Sequence, residues 1–184
     1  MANIWPVRLA PLGRKAGVSG LGCYKMIPPV TGIILAGGQN TRFSGTNKAF
    51  IRVAGRCILD RIYGVFNDLF EEIILVTNDP IQYLEWDLNI VTDLFSIRSS
   101  LTGIHAGLFF ATTPYSFFMA CDTPFIKKDL VETILDHIDP RIDVVIPETV
   151  KGLEPLCCVY SKHCLAPITR QLEKQELKIN QIFP

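Results

Sequence analysis

The chain of 184 residues carries 18 basic and 18 acidic side chains, so its formal net charge is zero, and 48% of its residues are hydrophobic. That balance excludes a disordered chain, which needs low hydrophobicity and high net charge, and it suits one compact domain with a sizeable core. It leaves no domain-wide basic excess to neutralise nucleic-acid phosphates, and no apolar run approaches the roughly 20 residues of a membrane span. Neither nucleic acid nor a membrane is therefore an expected partner.

Residues 1–29 hold no Asp or Glu, and their glycines and prolines break any periodicity. They lack the continuous apolar core of a signal peptide and have too little serine for a typical transit peptide. The expectation is a flexible leader, or a start assigned too early with Met26 as the true start, followed by one domain over 30–184. From Val30 the pattern becomes regular. Val30–Ala36 reads as a buried strand running into Gly37-Gly38. Ile58, Leu59, Ile62, Val65, Phe66, Leu69 and Phe70 fall on one helical face. Glu72–Thr77 reads as a second strand, ending at the turn signal Asn78-Asp79-Pro80. Ile90–Thr92 is a short third strand with Asp93 after it. Leu101–Ala111 fits a helix. Phe117–Cys121 is a fourth strand, stopped by Asp122-Thr123-Pro124. Asp129–Ile138 is a helix with an acidic first turn. Asp143–Pro147 and Leu156–Tyr160 are two further strands. Leu165–Lys174 is a last helix, with Pro167 tolerable only in its first turn.

Short apolar strands alternating with helices predict an α/β fold, with a mostly parallel sheet covered on both faces. In such sheets ligands bind beyond the carboxyl ends of the strands. The six cysteines contain no C-x-x-C pair and several sit inside apolar runs, which fits a reducing, cytoplasmic setting. The three histidines lack metal-ligand spacing.

The residues following the strands carry the chemistry. After the first strand come Leu35, Ala36, Gly37 and Gly38, then Arg42 and Lys48; after the later strands come Asn78, Asp93 and Asp122. Glycines let backbone N–H groups approach a phosphate, and Arg42 and Lys48 supply charge. Asp122 is the hard oxygen ligand that Mg²⁺ takes. Together they describe a site for a metal-bound polyphosphate. Each residue has a plainer reading as well. Gly37-Gly38 can be an ordinary turn, Asn78 and Asp93 turn residues, Arg42 and Lys48 solvated surface charges, and Asp122 the N-cap of the helix after Pro124. Cys121, with no basic group beside it, reads as a buried strand residue. The P-loop and dinucleotide fingerprints are absent, since Lys48 is followed by Ala49 and no G-x-G-x-x-G occurs.

The run LAGGQNTRFSGTNK resembles the opening signature of the molybdenum cofactor guanylyltransferases, roughly L-A-G-G-x-S-x-R-M/F-G-x-x-K. Asp93 followed by Leu101-Thr102-Gly103, the segment Ala120–Phe125 and Pro155-Leu156 resemble that family's later segments in the same order, from about Thr31 to about Lys178. Asn40 stands where the family usually has Ser, Gly45 lies one position late, and Ser99-Ser100 replaces a Gly-Pro pair. The family also continues into a further strand and helix, so the domain is expected to lack these.

The resemblance implies a Rossmann-like three-layer sandwich of the nucleotide-diphospho-sugar transferase type, acting as a nucleotidyltransferase. The implied reaction transfers GMP from GTP to the phosphate of molybdopterin, with Mg²⁺ as cofactor and pyrophosphate released. In that reading Leu35, Ala36, Gly37 and Gly38 border the guanine and phosphates, and Arg42 and Lys48 act at the phosphates. Asn78 and Asp93 contact the nucleoside, and Asp122 holds Mg²⁺. Partners would be GTP, the molybdenum cofactor and, transiently, molybdoenzymes or their chaperones. Two alternatives stay open: a CTP-using or other nucleotidyltransferase, and a non-catalytic nucleotide-binding homologue. Relatives preferring CTP usually read L-A-A-G, so Gly37 after Ala36 favours guanine.

Overall fold

A computed structural model describes residues 7–10, 27–37 and 47–182. The core is a mixed sheet with strand order β1-β8-β10-β7-β2-β5-β6. Its strands are β1 (Val7–Ala10), β2 (Val30–Leu35), β5 (Ile73–Val76), β6 (Asn89–Val91), β7 (Tyr115–Ala120), β8 (Val144–Thr149) and β10 (Cys157–Ser161). Strands β7, β2, β5 and β6 are parallel neighbours. Strand β10 runs against both β7 and β8, and β1 runs against β8. Five of these seven strands thus share one direction. Strands β3 (Arg52–Val53) and β4 (Arg56–Cys57) form a hairpin, and β9 (Gly152–Leu153) folds back on β8. The β3–β4 turn places Ala54 at φ 48° and Gly55 at φ 82°, the two left-handed positions that a tight two-residue hairpin requires.

Helices α1 (Ile58–Asn67) and α3 (Lys128–Leu135) cover one face; α2 (Ser100–Phe110) and α4 (Leu165–Glu173) cover the other. The alternation of side chains along a strand makes the two layers. Ile34 and Phe117 point into the core with Leu59, Phe66 and Ile134, whereas their neighbours Ile33 and Phe118 meet Ile104, Cys158 and Ile168. Residues Leu101–Leu108 of α2 are buried all round, because that helix lies between the sheet and α4. Its start is fixed by a reciprocal cap. Thr102 N donates to Ser99 Oγ at 3.1 Å, and Ser99 N donates to Thr102 Oγ1 at 2.9 Å.

Every sequence-predicted helix and strand is present, with ends shifted by at most three residues. Two features differ from expectation. Val7–Ala10, within the segment read as a flexible leader, pairs with β8 and covers that edge; the rest of 1–26 lies outside the described residues. The helix expected over Asp129–Ile138 ends at Leu135 and continues as a turn that still buries Ile138. Among the described residues, no helix is long and apolar enough to cross a membrane.

Candidate nucleotide site

The carboxyl ends of the parallel strands open into one cavity of ≈ 340 Å³, within the range of small-molecule sites. Leu35, Ala36 and Gly37 enter it from β2, Val76 from β5, Asp93 from beyond β6, and Ala120, Cys121 and Asp122 from β7. Asn47, Lys48 and Ala49 close it from a 3₁₀ turn over Lys48–Phe50, and Arg98, Ser99 and Ser100 from the start of α2. The strand ends hold one another by backbone bonds. Ala36 N donates to Val76 O at 2.8 Å, Cys121 N to Leu35 O at 3.0 Å, and Thr77 N to Val91 O at 3.0 Å. Residues far apart in sequence, such as Leu35 and Cys121, are therefore placed side by side on a rigid frame.

Lys48 Nζ lies 3.9 Å from Asp122 Oδ2, with 37% and 57% of the two side chains exposed. An ion pair this open adds well under about 1 kcal/mol to stability, so its significance is placement: a cation and a carboxylate share one wall of the cavity. Asp122 does not cap the following helix, because α3 begins six residues later, after Lys127. Its carboxylate is left facing the cavity.

Asp93 is half-buried at the opposite rim. Burial raises its carboxyl above the usual range, against a hydrogen bond from Asn78 and the positive fields of Arg98 and His105. Asn78 is exposed and does not line the cavity. It orients Asp93 instead: Nδ2 donates to Asp93 Oδ2 at 2.8 Å, and Oδ1 accepts from Asp93 N at 3.3 Å. Cys121 is 6% exposed, and burial beside the Asp122 charge pushes its thiol far above the ordinary value. A thiol held protonated is no nucleophile, and it serves as packing. Gly38 and Arg42 lie outside the described residues.

The cavity also brings in Asn47, Arg98, Ser99, Ser100 and Leu156, which reading along the sequence does not single out as site residues. Asn47 had a signal, a capping side chain just before the lysine; it accepts from Ala49 N through Oδ1 at 3.1 Å. Arg98 follows no strand or glycine turn, and only the fold delivers it. Among the described residues no three His, Cys, Asp or Glu side chains gather as a metal cage. Mg²⁺ needs none, since it binds through one or two carboxylates, waters and substrate phosphates, and the cavity-facing Asp122 carboxylate fits that pattern.

A family model described as the MobA-like NTP transferase domain matches residues 32–182. The chain is 47% identical over 154 residues to a molybdenum cofactor guanylyltransferase of Desulfosudis oleivorans, spanning 84% of this chain and 76% of that protein. It is 34% identical to a probable molybdenum cofactor guanylyltransferase of Clostridium perfringens, over 79% and 73% of the two chains. A crystal structure of an Aquifex aeolicus protein superposes with TM-score 0.71 at 27% identity, covering 83% of this chain and 80% of that one. The fold is likewise shared with molybdopterin-guanine dinucleotide biosynthesis protein A of Archaeoglobus fulgidus, with TM-score 0.66 at 22% identity over 83% and 77%.

Proposed function

The chain belongs to the MobA-like NTP transferase family, and from that membership and the cavity we infer that it transfers GMP from GTP to the phosphate of molybdopterin and releases pyrophosphate. The observation that carries this reading is the convergence of Lys48 and Asp122, 3.9 Å apart, at the strand ends beside the Leu35–Gly37 backbone. The reaction is an in-line displacement. An oxygen of the acceptor phosphate forms a bond to the α-phosphorus, the bond to the α–β bridging oxygen breaks, and its electron pair leaves with pyrophosphate. No covalent intermediate on the protein is needed, so positioning and charge complementarity supply the rate.

In this reading Leu35, Ala36 and Gly37 border the base and phosphates with backbone groups, and Asp93, held by Asn78, meets the nucleoside. The Lys48 ammonium offsets charge on the triphosphate and on the departing pyrophosphate. Asp122 would hold Mg²⁺, which supplies charge neutralisation at the phosphates when bound. All five cysteines among the described residues are unpaired thiols, which suits a cytoplasmic enzyme whose product is handed on to molybdoenzymes or their chaperones.

A nucleotide panel tests the base preference. Pyrophosphate release with molybdopterin and Mg²⁺ is expected from GTP, and from CTP, ATP and UTP at rates lower by roughly tenfold or more. Equal rates with CTP would overturn the guanine assignment.

A further inference from the structure

Resting on the nucleotide reading of the same cavity, we propose that Tyr83 is a positioning residue whose hydroxyl ties together the two stems of the phosphate-binding segment and so aims Lys48. Tyr83 ends a 3₁₀ turn, Pro80–Tyr83, on the chain that leaves β5, and its side chain is completely buried. A buried phenol must satisfy its oxygen. Here the hydroxyl donates to Ala36 O at 3.3 Å and accepts from Asn47 Nδ2 at 2.8 Å. Ala36 is where the segment leaves β2; Asn47 is where it arrives at Lys48. Both line the cavity, so one oxygen bridges the entrance and exit of the stretch that carries the glycine and cation signature.

The rest of the contact set has the same purpose. Asn47 uses its second N–H on Gln82 Oε1 at 2.8 Å and its carbonyl on Ala49 N at 3.1 Å, so its amide has one orientation that satisfies every partner. Gln82 is in turn held by Asp79. The Tyr83 ring packs on Phe50, the last residue of the Lys48 turn, at 5.2 Å between centroids, and on Trp86 at 6.3 Å. Lys48 is thus gripped on one side through Asn47 and on the other through Phe50. A flexible lysine aimed by a fixed backbone acts at the moment charge develops, and misplacing a catalytic cation by about 1 Å costs up to roughly a hundredfold in rate.

The experiment is a double-mutant cycle read with GTP and Mg²⁺. Tyr83→Phe keeps the ring on Phe50 and Trp86 and removes the hydroxyl that makes the tie, together with its contact to Thr77. Its kcat is expected to fall roughly ten- to hundredfold with KM changed less than about threefold, and in a Lys48→Ala background the same change is expected to cost less than about twofold. An equal loss in both backgrounds, or an unchanged kcat, overturns the proposal. Asn47→Ser retains a capping oxygen, loses the amide N–H groups that reach Tyr83 and Gln82, and is expected to reproduce the kcat loss; it carries the test should Tyr83→Phe not fold. Amide exchange of Ala49 in the free protein gives a readout that needs no turnover. Tyr83→Phe is expected to accelerate it at least about fivefold, and unchanged protection contradicts the tie even if the wild-type chain proves inactive with GTP, an outcome that would count against the nucleotide reading alone.

Discussion

Asp122→Ala is expected to lower guanylyl transfer by roughly a thousandfold, because the carboxylate that would hold the charge-neutralising Mg²⁺ is lost. The side chain is 57% exposed and its ion pair with Lys48 spans 3.9 Å, so the melting temperature should stay within about 2 °C of wild type. That separation of activity from stability marks a functional carboxylate. Asp122→Asn keeps the shape and discards the charge, so it should be nearly as inactive. Calorimetry adds a second signature. With the carboxylate gone, Lys48 no longer has that counter-ion, so metal-free GTP should bind no worse than to wild type, whereas the gain in affinity on adding Mg²⁺ should disappear. Steady-state rates within about tenfold of wild type for Asp122→Ala would remove Asp122 from the chemistry.

Gly107→Ala is expected to destabilise the fold by about 2 kcal/mol, and Gly107→Val by about 3 kcal/mol or more. Alanine in a helix interior is ordinarily better than glycine by about 1 kcal/mol, so the expected sign is reversed. The reason is the approach of α2 to the sheet. A Cβ at Gly107 would lie 2.7 Å from Ile33 Cγ2 and 2.7 Å from Phe118 Cε1, both on fully buried side chains of the central strands. Neither can retreat without disturbing a packed core. The helix must therefore move outward, and its first turn carries Ser99 and Ser100 into the cavity wall. Melting temperature should fall by roughly 4–12 °C across the two variants, with transfer activity dropping before unfolding begins. A stabilised Gly107→Ala protein would show that the helix has room the structure does not give it.

The fold was legible wherever burial alone decides it. Val30–Leu35 and Tyr115–Ala120 are mostly apolar and almost wholly buried because helices cover both faces of the sheet, and their order along the chain already implies crossover helices. Strand direction was not legible in the same way. Cys157–Ser161 is as buried as the parallel strands of the sheet, yet it runs antiparallel to both of its neighbours, β7 and β8, because burial does not encode strand direction. Val7–Ala10 gave no signal, since an edge strand of four residues takes its stability from the backbone of β8 rather than from its own pattern.

The candidate site divides similarly. Asp93 and Asp122 could be marked in advance because each follows a strand, and Lys48 because it closes the glycine-bearing run LAGGQNTRFSGTNK. Arg98 and Tyr83 could not. Arg98 reaches the cavity only because α2 starts near β6, and Tyr83 belongs to no sequence motif; its packing on Phe50 and Trp86 emerges only in the fold. Its hydroxyl acquires a role only when three segments, ending β2, opening the Lys48 turn and leaving β5, are brought within hydrogen-bond distance.

The most direct measurement is product analysis. Purified full-length chain is incubated with molybdopterin, Mg²⁺ and GTP labelled at the α-phosphorus, and the pterin fraction is resolved by mass spectrometry. The account predicts label in a guanine dinucleotide form of the pterin, with one pyrophosphate released per transfer and none formed when the metal is chelated. Pyrophosphate without labelled pterin, or label entering the pterin only when CTP replaces GTP, would contradict it.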